Sequence, residues 1–248
     1  MLNGTDLIYS YDGSFEGLLC CVFESYSRKE MPSKIITSKE IMLFDPKIIQ
    51  TDFIKAKRVL VAIKNKISYE TLNFVYNAYL TCLNDKELHI LMFVRLAFKN
   101  GKKSINMIED NSVYILNKAI KHLLGEVHSY LGFLRFSIYG DVLFAQLEPK
   151  NYVLPLMKEH FCDRFNNEKF IIYDITHNDA LIYQNNKTVI ACVEKPIKPK
   201  PDETELYYRK LWKKFYDTIA IKERINPRRQ MGHMPKRYWE HLTEFADE

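Results

Sequence analysis

Residues 134–147 read LRFSIYGDVLFAQL. Leu134, Phe136 and Ile138 alternate with Arg135, Ser137 and Tyr139, Gly140-Asp141 supplies a two-residue turn, and Leu143, Ala145 and Leu147 alternate on the way back. A period of two on both sides of such a turn predicts a half-buried β-hairpin. Downstream, a helix over about 153–165 precedes three more strand-like runs, 170–176, 180–184 and 188–193, separated by His177-Asn178-Asp179 and Asn185-Asn186-Lys187. A β-β-α-β-β-β module is most simply an antiparallel sheet with a helix on one face. Upstream, the texture is helical from about 52 to 133. Phe53, Val59, Leu60, Ile63 and Ile67 recur at helical spacing, further helices are predicted over 72–83 and 88–98, and the longest runs from 111 to about 131. Before these lie a short strand over 7–11, the break Asp12-Gly13, a helix over 15–26 capped by Asp12 or Ser14, and β-prone pieces at 34–37 and 47–51 that give the first strand sheet neighbours.

Past the sheet, residues 194–202 interleave Pro196, Pro199 and Pro201 with lysines, a stiff extended connector. Asp202 and Glu205 then form a capping box that opens a helix with the apolar stripe Leu206, Tyr208, Leu211, Trp212, Phe215, Tyr216 and Ile219, opposite Arg209, Lys210, Lys213 and Lys214. Residues 224–235 read as irregular, and 236–245 as one final helix packing Tyr238, Trp239, Leu242 and Phe245. The fold class is therefore α+β: an antiparallel sheet with a helix on one face, a helical region between the N-terminal strand and the main sheet, and a C-terminal helical segment. The expected organisation is a core over 1–194, divided into a helical region (about 52–133) and a sheet module (about 134–193), followed by a basic, proline-linked helical segment over 195–248 that packs on the core.

Composition excludes several classes. The 248 residues are 47% hydrophobic and 27% charged, an ordinary globular balance. The 8 glycines include no G-x-G pair, which removes the dinucleotide fingerprint and the P-loop as phosphate cradles. Cys20, Cys21, Cys82, Cys162 and Cys192 are odd in number and contain no C-x-x-C, so neither a disulfide framework nor a zinc ribbon nor a cluster ligand set is encoded. No apolar run approaches a membrane span and the start carries no signal-peptide pattern, so a cytoplasmic protein with no membrane partner is expected.

The net charge of +5 is unevenly placed. Residues 195–241 hold 13 Lys and Arg against 6 Asp and Glu, net +7, which leaves −2 for the rest. Within them, residues 222–237 carry Lys222, Arg224, Arg228, Arg229, Lys236 and Arg237 against Glu223 alone, with Tyr238 and Trp239 following. Arginine forks and aromatic faces are what phosphate contact and base stacking use; a solvated basic face with core aromatics is the alternative. A second cluster, Glu126, His128, Gly132, Arg135 and Phe136, puts a histidine near a helix end before an arginine on a strand, suited to anion binding or acid-base work, or else to a structural ion pair of Arg135 with Glu126 or another carboxylate. His122 and Glu126 stand at i, i+4 with no third ligand in view, so no metal residues are assigned. Asp12 and Glu16 are paired carboxylates at a strand-to-helix turn, where capping competes with catalysis.

Tyr11-Asp12-Gly13-Ser14-Phe15-Glu16-Gly17-Leu18-Leu19, the 126–136 stretch with its GFLRF, Val153-Leu154-Pro155-Leu156 through His160-Phe161 to Arg164-Phe165, Arg224-Ile225-Asn226-Pro227-Arg228, and Met234-Pro235-Lys236-Arg237-Tyr238-Trp239 together resemble the bacterial "probable DNA metabolism protein" family over nearly the whole chain. The resemblance implies DNA repair or modification beside a radical-SAM protein encoded nearby; in some bacteria a related domain is fused to a uracil-DNA glycosylase. This chain has no counterpart of that glycosylase's cluster cysteines and no three-cysteine radical-SAM cradle, so iron-sulfur cluster and SAM are expected only in the partner, with no cofactor in this chain.

The expected function is DNA binding, single-stranded or damaged, through Arg224, Arg228, Lys236 and Arg237 on phosphates with Tyr238 or Trp239 stacking on a splayed base, together with a radical-SAM partner. Two alternatives stay open. One is an enzyme acting on a nucleotide or damaged base, with His128, Arg135, Asp12 and Glu16 in one pocket; the other is a protein-protein adaptor.

Overall fold

The computed structural model describes residues 7–38, 45–196, 201–221 and 225–245. The chain divides into two compact units, Met1–Leu123 and Leu124–Glu248, and the division falls within one helix. The class is α+β, as the alternating and helical stretches predict.

In the first unit, β1 (Ile8–Tyr11) is the middle strand of a three-stranded sheet, flanked by β2 (Lys34–Thr37) and β3 (Lys47–Ile48), both parallel to it. Between β1 and β2 runs α1 (Phe15–Ser27), the crossover that a parallel pair needs. Ser14 caps α1 by accepting from the Gly17 N–H at 2.9 Å. Helices α2 (Phe53–Lys66), α3 (Tyr69–Leu80), α4 (Lys86–Asn100) and α5 (Asn111–Phe133) follow, α2 and α3 capped by Asp52 and Ser68. Tyr9, Tyr11, Leu18, Leu19 and Val22 pack with Ile90, Phe93, Val94, Val113 and Leu116 into one core. Cys20 and Cys21 are fully buried in it and behave as small apolar residues, their thiols pushed up by burial and hence not ionised nucleophiles.

The second unit holds a five-stranded sheet in sequential order: β4 (Ser137–Tyr139), β5 (Val142–Leu147), β6 (Lys169–Asp174), β7 (Asp179–Gln184) and β8 (Lys187–Cys192). The hairpin around Gly140 is present; Gly140 has φ +63°, a turn conformation that glycine adopts without strain. Asn185 and Asn186, both at positive φ, close the β7/β8 hairpin as a primed turn. One pairing departs from the all-antiparallel expectation: β5 and β6 run parallel, Val142 opposite Lys169 through Leu147 opposite Asp174. Helix α6 (Leu154–Arg164) lies between them in sequence and makes the unit a βαβ crossover, a direction that strand alternation alone does not encode.

The C-terminal part contains α7 (Glu203–Ile219), α8 (Pro227–His233) and a 3₁₀ segment, Lys236–His241. Helix α8 corrects the irregular reading of 224–235. Asn226 accepts from the Arg229 N–H at 3.0 Å as N-cap and Pro227 occupies the first turn, a start signal that the prolines and glycine around it obscure. Residues 236–245, expected as one α-helix, instead begin with the 3₁₀ segment.

Candidate nucleic-acid interface

Helix α7 is held in part by polar contacts. Glu205 is its buried residue, accepting from the Ile138 N–H on edge strand β4 (3.0 Å) and from Arg209 Nε (2.8 Å), while Arg209 Nη2 donates to Ser137 Oγ (2.8 Å). A carboxylate thus satisfies an edge-strand donor that no neighbouring strand pairs. Burial pushes the Glu205 carboxyl up, and Arg209, the Ile138 amide and Ser137 more than reverse this, leaving it below its ordinary value. The apolar stripe predicted for this helix is formed, and Tyr208, Leu211, Trp212 and Phe215 line a groove of about 760 Å³ with Leu134, Phe136, Ile138 and Phe165. Of that stripe, Leu206, Tyr208, Leu211, Trp212, Phe215 and Ile219 are exposed, from 41% at Trp212 to 59% at Ile219, and Tyr216 is half-buried; Tyr207, outside the stripe, is 61% exposed. Lys210 and Lys214 are exposed on the same helix. Trp212 is oriented by Nε1 donating to Glu244 Oε2 (3.1 Å) and by the Arg135 guanidinium 5.9 Å from its ring. Gln230 on α8 donates to the Tyr216 hydroxyl (3.0 Å), tying α8 alongside, with Arg228 and Arg229 exposed on it.

The residues predicted to grip nucleic acid separate into three groups. Arg228 and Lys236 are exposed, Lys236 lying over the Trp239 ring at 5.8 Å. Arg237 and Tyr238 make structural contacts, Arg237 with 37% of its side chain still exposed. Arg237 Nη1 pairs with Glu126 at 3.0 Å and its Nη2 donates to the Tyr238 hydroxyl; Tyr238 is 3% exposed, its ring against Tyr130 and Phe133. Trp239 is half-buried, stacked on Phe245 at 4.5 Å with Nε1 donating to Met234 O. Tyr238 therefore corrects the base-stacking assignment: an aromatic that follows a basic run is here a core residue, because its ring completes the cluster at the end of α5. Arg224 and Lys222 lie outside the described residues.

The other predicted cluster is dispersed among structural roles. Glu126 is buried and accepts from the Lys150 N–H (3.1 Å), the Asn151 N–H (2.9 Å) and Asn151 Nδ2 (2.7 Å), besides Arg237, so it does not share a metal with His122. Arg135 caps α5 by donating to the carbonyls of Gly132 and Phe133, both at 3.2 Å, and pairs with Glu244 at 2.8 Å, which is the structural ion pair that the sequence allowed. His128 is exposed on α5. In the first unit, Asp12 Oδ1 accepts from Ser14 N–H (2.9 Å) and Oγ (2.6 Å), and Oδ2 from Thr51 Oγ1 (2.7 Å); these bonds outweigh the desolvation of Asp12 and hold its carboxyl below the ordinary range. Glu16 is exposed one turn on. Sequence reading gave no hint of a polar cavity of about 670 Å³ in the second unit, where Glu148, Glu240 and His241 bring ligand-type atoms within 4.8 Å of one another. Glu148 lies more than ninety residues before the adjacent Glu240 and His241, which hides the group from any spacing rule.

Among known families, the one described as a domain of unknown function (DUF4130) matches residues 84–244, 161 of the 248 residues. The chain belongs to this family. In this DUF4130 chain the matched residues include α7, α8, Glu148, Glu240 and His241, whereas Asp12 and Glu16 precede them. No curated protein matches the sequence. Among solved structures the DUF4130 chain is similar to one titled a pGpG-specific phosphodiesterase, PggH from Vibrio cholerae, at 10% identity and a TM-score of 0.32, over 71% of this chain and 81% of that one. A likeness of that degree carries no argument about activity. No helix among the described residues is long and apolar enough to cross a membrane.

Proposed function

We propose that this protein binds single-stranded or locally unpaired nucleic acid on the exposed face of α7 and α8. The observation that carries the reading is the wide exposure of aromatic and apolar residues on α7: Tyr207, Tyr208, Phe215 and Ile219 are each more than half exposed, with Lys210 and Lys214 exposed on the same helix. Exposed apolar surface of this extent marks an interaction site. The exposed cations Lys210 and Lys214 on α7, and Arg228 and Arg229 on α8, favour a polyanion with π-faces over a purely apolar partner. DNA is the polyanion that the sequence resemblance implies, in repair or modification, with a radical-SAM partner supplying cluster and SAM. Duplex DNA hides its base faces, so the stacking component is available only where bases are unpaired. The competing pocket of His128, Arg135, Asp12 and Glu16 draws less support, since Arg135 and Asp12 already hold α5 and the turn before α1.

Fluorescence anisotropy with a labelled oligothymidine and the matching duplex tests the reading. The single strand is expected to bind more tightly, and Tyr207→Ala and Phe215→Ala to weaken it by about 1–3 kcal/mol each, the range for loss of one base-aromatic stack. Equal affinity for strand and duplex, unaffected by both substitutions, would refute stacking on α7.

A further inference from the structure

We infer that Glu148, Glu240 and His241 form a binding site for a divalent first-row transition ion. Glu148 follows β5 directly, while Glu240 and His241 end the 3₁₀ segment, so two separate elements of the second unit converge. Their ligand atoms lie within 4.8 Å of one another, and two donors each about 2.1 Å from one ion stand no more than about 4.2 Å apart. Both carboxylates are exposed and have the rotamer freedom to close that difference.

Three features favour a cation there. First, two carboxylates converge without a Lys or Arg pairing with either among the described residues, an arrangement whose mutual repulsion a cation relieves. Second, Arg135 and Arg209, which line the same cavity, are already paired with Glu244 and Glu205 and so do not neutralise the cluster. Third, His241 Nε2 is shut off from solvent and has no hydrogen-bond partner, a buried polar atom that the protein itself leaves unsatisfied. One imidazole and two carboxylates make a borderline-to-hard donor set, suited to Zn²⁺, Mn²⁺, Fe²⁺ or Co²⁺ rather than to soft ions. Three protein ligands leave coordination positions open toward the cavity, where Ser137, Tyr139 and Asn178 line the wall and a water or an anionic group has room to enter.

The test uses the full chain, stripped of metal, titrated with CoCl₂ and MnCl₂. Expected are one Co²⁺ per chain with a d–d absorption band, at least tenfold weaker binding in both Glu148→Gln and Glu240→Gln, and unchanged melting of both variants without metal. Independently of any variant, Mn²⁺ should broaden the ring resonances of His241 before those of the other six histidines. Absence of stoichiometric binding, binding indifferent to both substitutions, or broadening that spares His241 would each overturn the site. The site does not rest on the nucleic-acid reading: Glu240→Gln should leave oligonucleotide affinity without added metal unchanged.

Discussion

Glu126 sits without solvent exposure at the centre of four donors, two backbone amides, the Asn151 amide and the Arg237 guanidinium. Removing it leaves the Asn151 amides without an acceptor, so Glu126→Ala should cost at least about 1–3 kcal/mol, the range for a buried donor left unpaired, read as a fall in the denaturant midpoint. The same geometry separates two arginines that look alike in sequence. Arg237→Ala should lower stability through Glu126, whereas Arg228→Ala, on the exposed face of α8, should leave melting unchanged and weaken nucleic-acid binding. At Gly17 a Cβ would overlap Asp12 Oδ1 and come within 2.8 Å of Thr51 Oγ1 and 2.9 Å of Tyr11 Cδ2. Alanine gains up to about 1 kcal/mol of helix propensity there, but the overlap works against it with about 1–3 kcal/mol. Gly17→Ala is therefore expected to destabilise by calorimetry; a rise in melting temperature would show that the Asp12 turn yields freely.

Helix α7 is anchored by two buried carboxylates, its own Glu205 and Glu244, which accepts from the Trp212 indole. The carboxyls of Glu205 and Glu244 are both raised by burial and then brought below their ordinary values, Glu205 by Arg209 and the Ile138 amide, Glu244 by Arg135 and the Trp212 indole. For acids lowered in the folded state, the stabilisation is complete above the unfolded value of about 4.3 and is lost as pH falls through the lower folded value. Acidification below about pH 4 should accordingly release α7, seen as a change in Trp212 emission in a Trp239→Phe background, with no change between pH 6 and 8. The helix itself was legible from Asp202, Glu205 and the spacing of Leu211, Trp212 and Phe215, and the β4/β5 hairpin from its alternation. How much of the α7 stripe would be covered was not, because periodicity shows that a stripe exists and is silent about what covers it. Nor was the parallel β5/β6 pair, since direction depends on the crossover and not on residue alternation. Tyr238 illustrates the same limit within the site: its burial follows from Tyr130 and Phe133, about a hundred residues away.

At the scale of the molecule, the decisive quantity is where the charge lies. Residues 222–237 carry a net +5, equal to that of the entire chain. Position supplies a field that the total conceals, and the scarcity of glycine leaves side chains rather than loop amides to meet an anion. The family match covers the whole of this basic region up to residue 244. If α7 and α8 bind a strand through Lys210, Lys214, Arg228 and Arg229, binding must release counterions in proportion to the phosphates contacted. The most direct test is the affinity for a labelled oligothymidine across a salt series, in the native chain and in an Arg228→Ala/Arg229→Ala variant. A steep linear fall of log affinity with log salt is predicted, made shallower by about 1.4 in the variant, at about 0.7 per phosphate contact on a single strand. No binding at low salt, or a slope that both substitutions leave unchanged, would contradict the account.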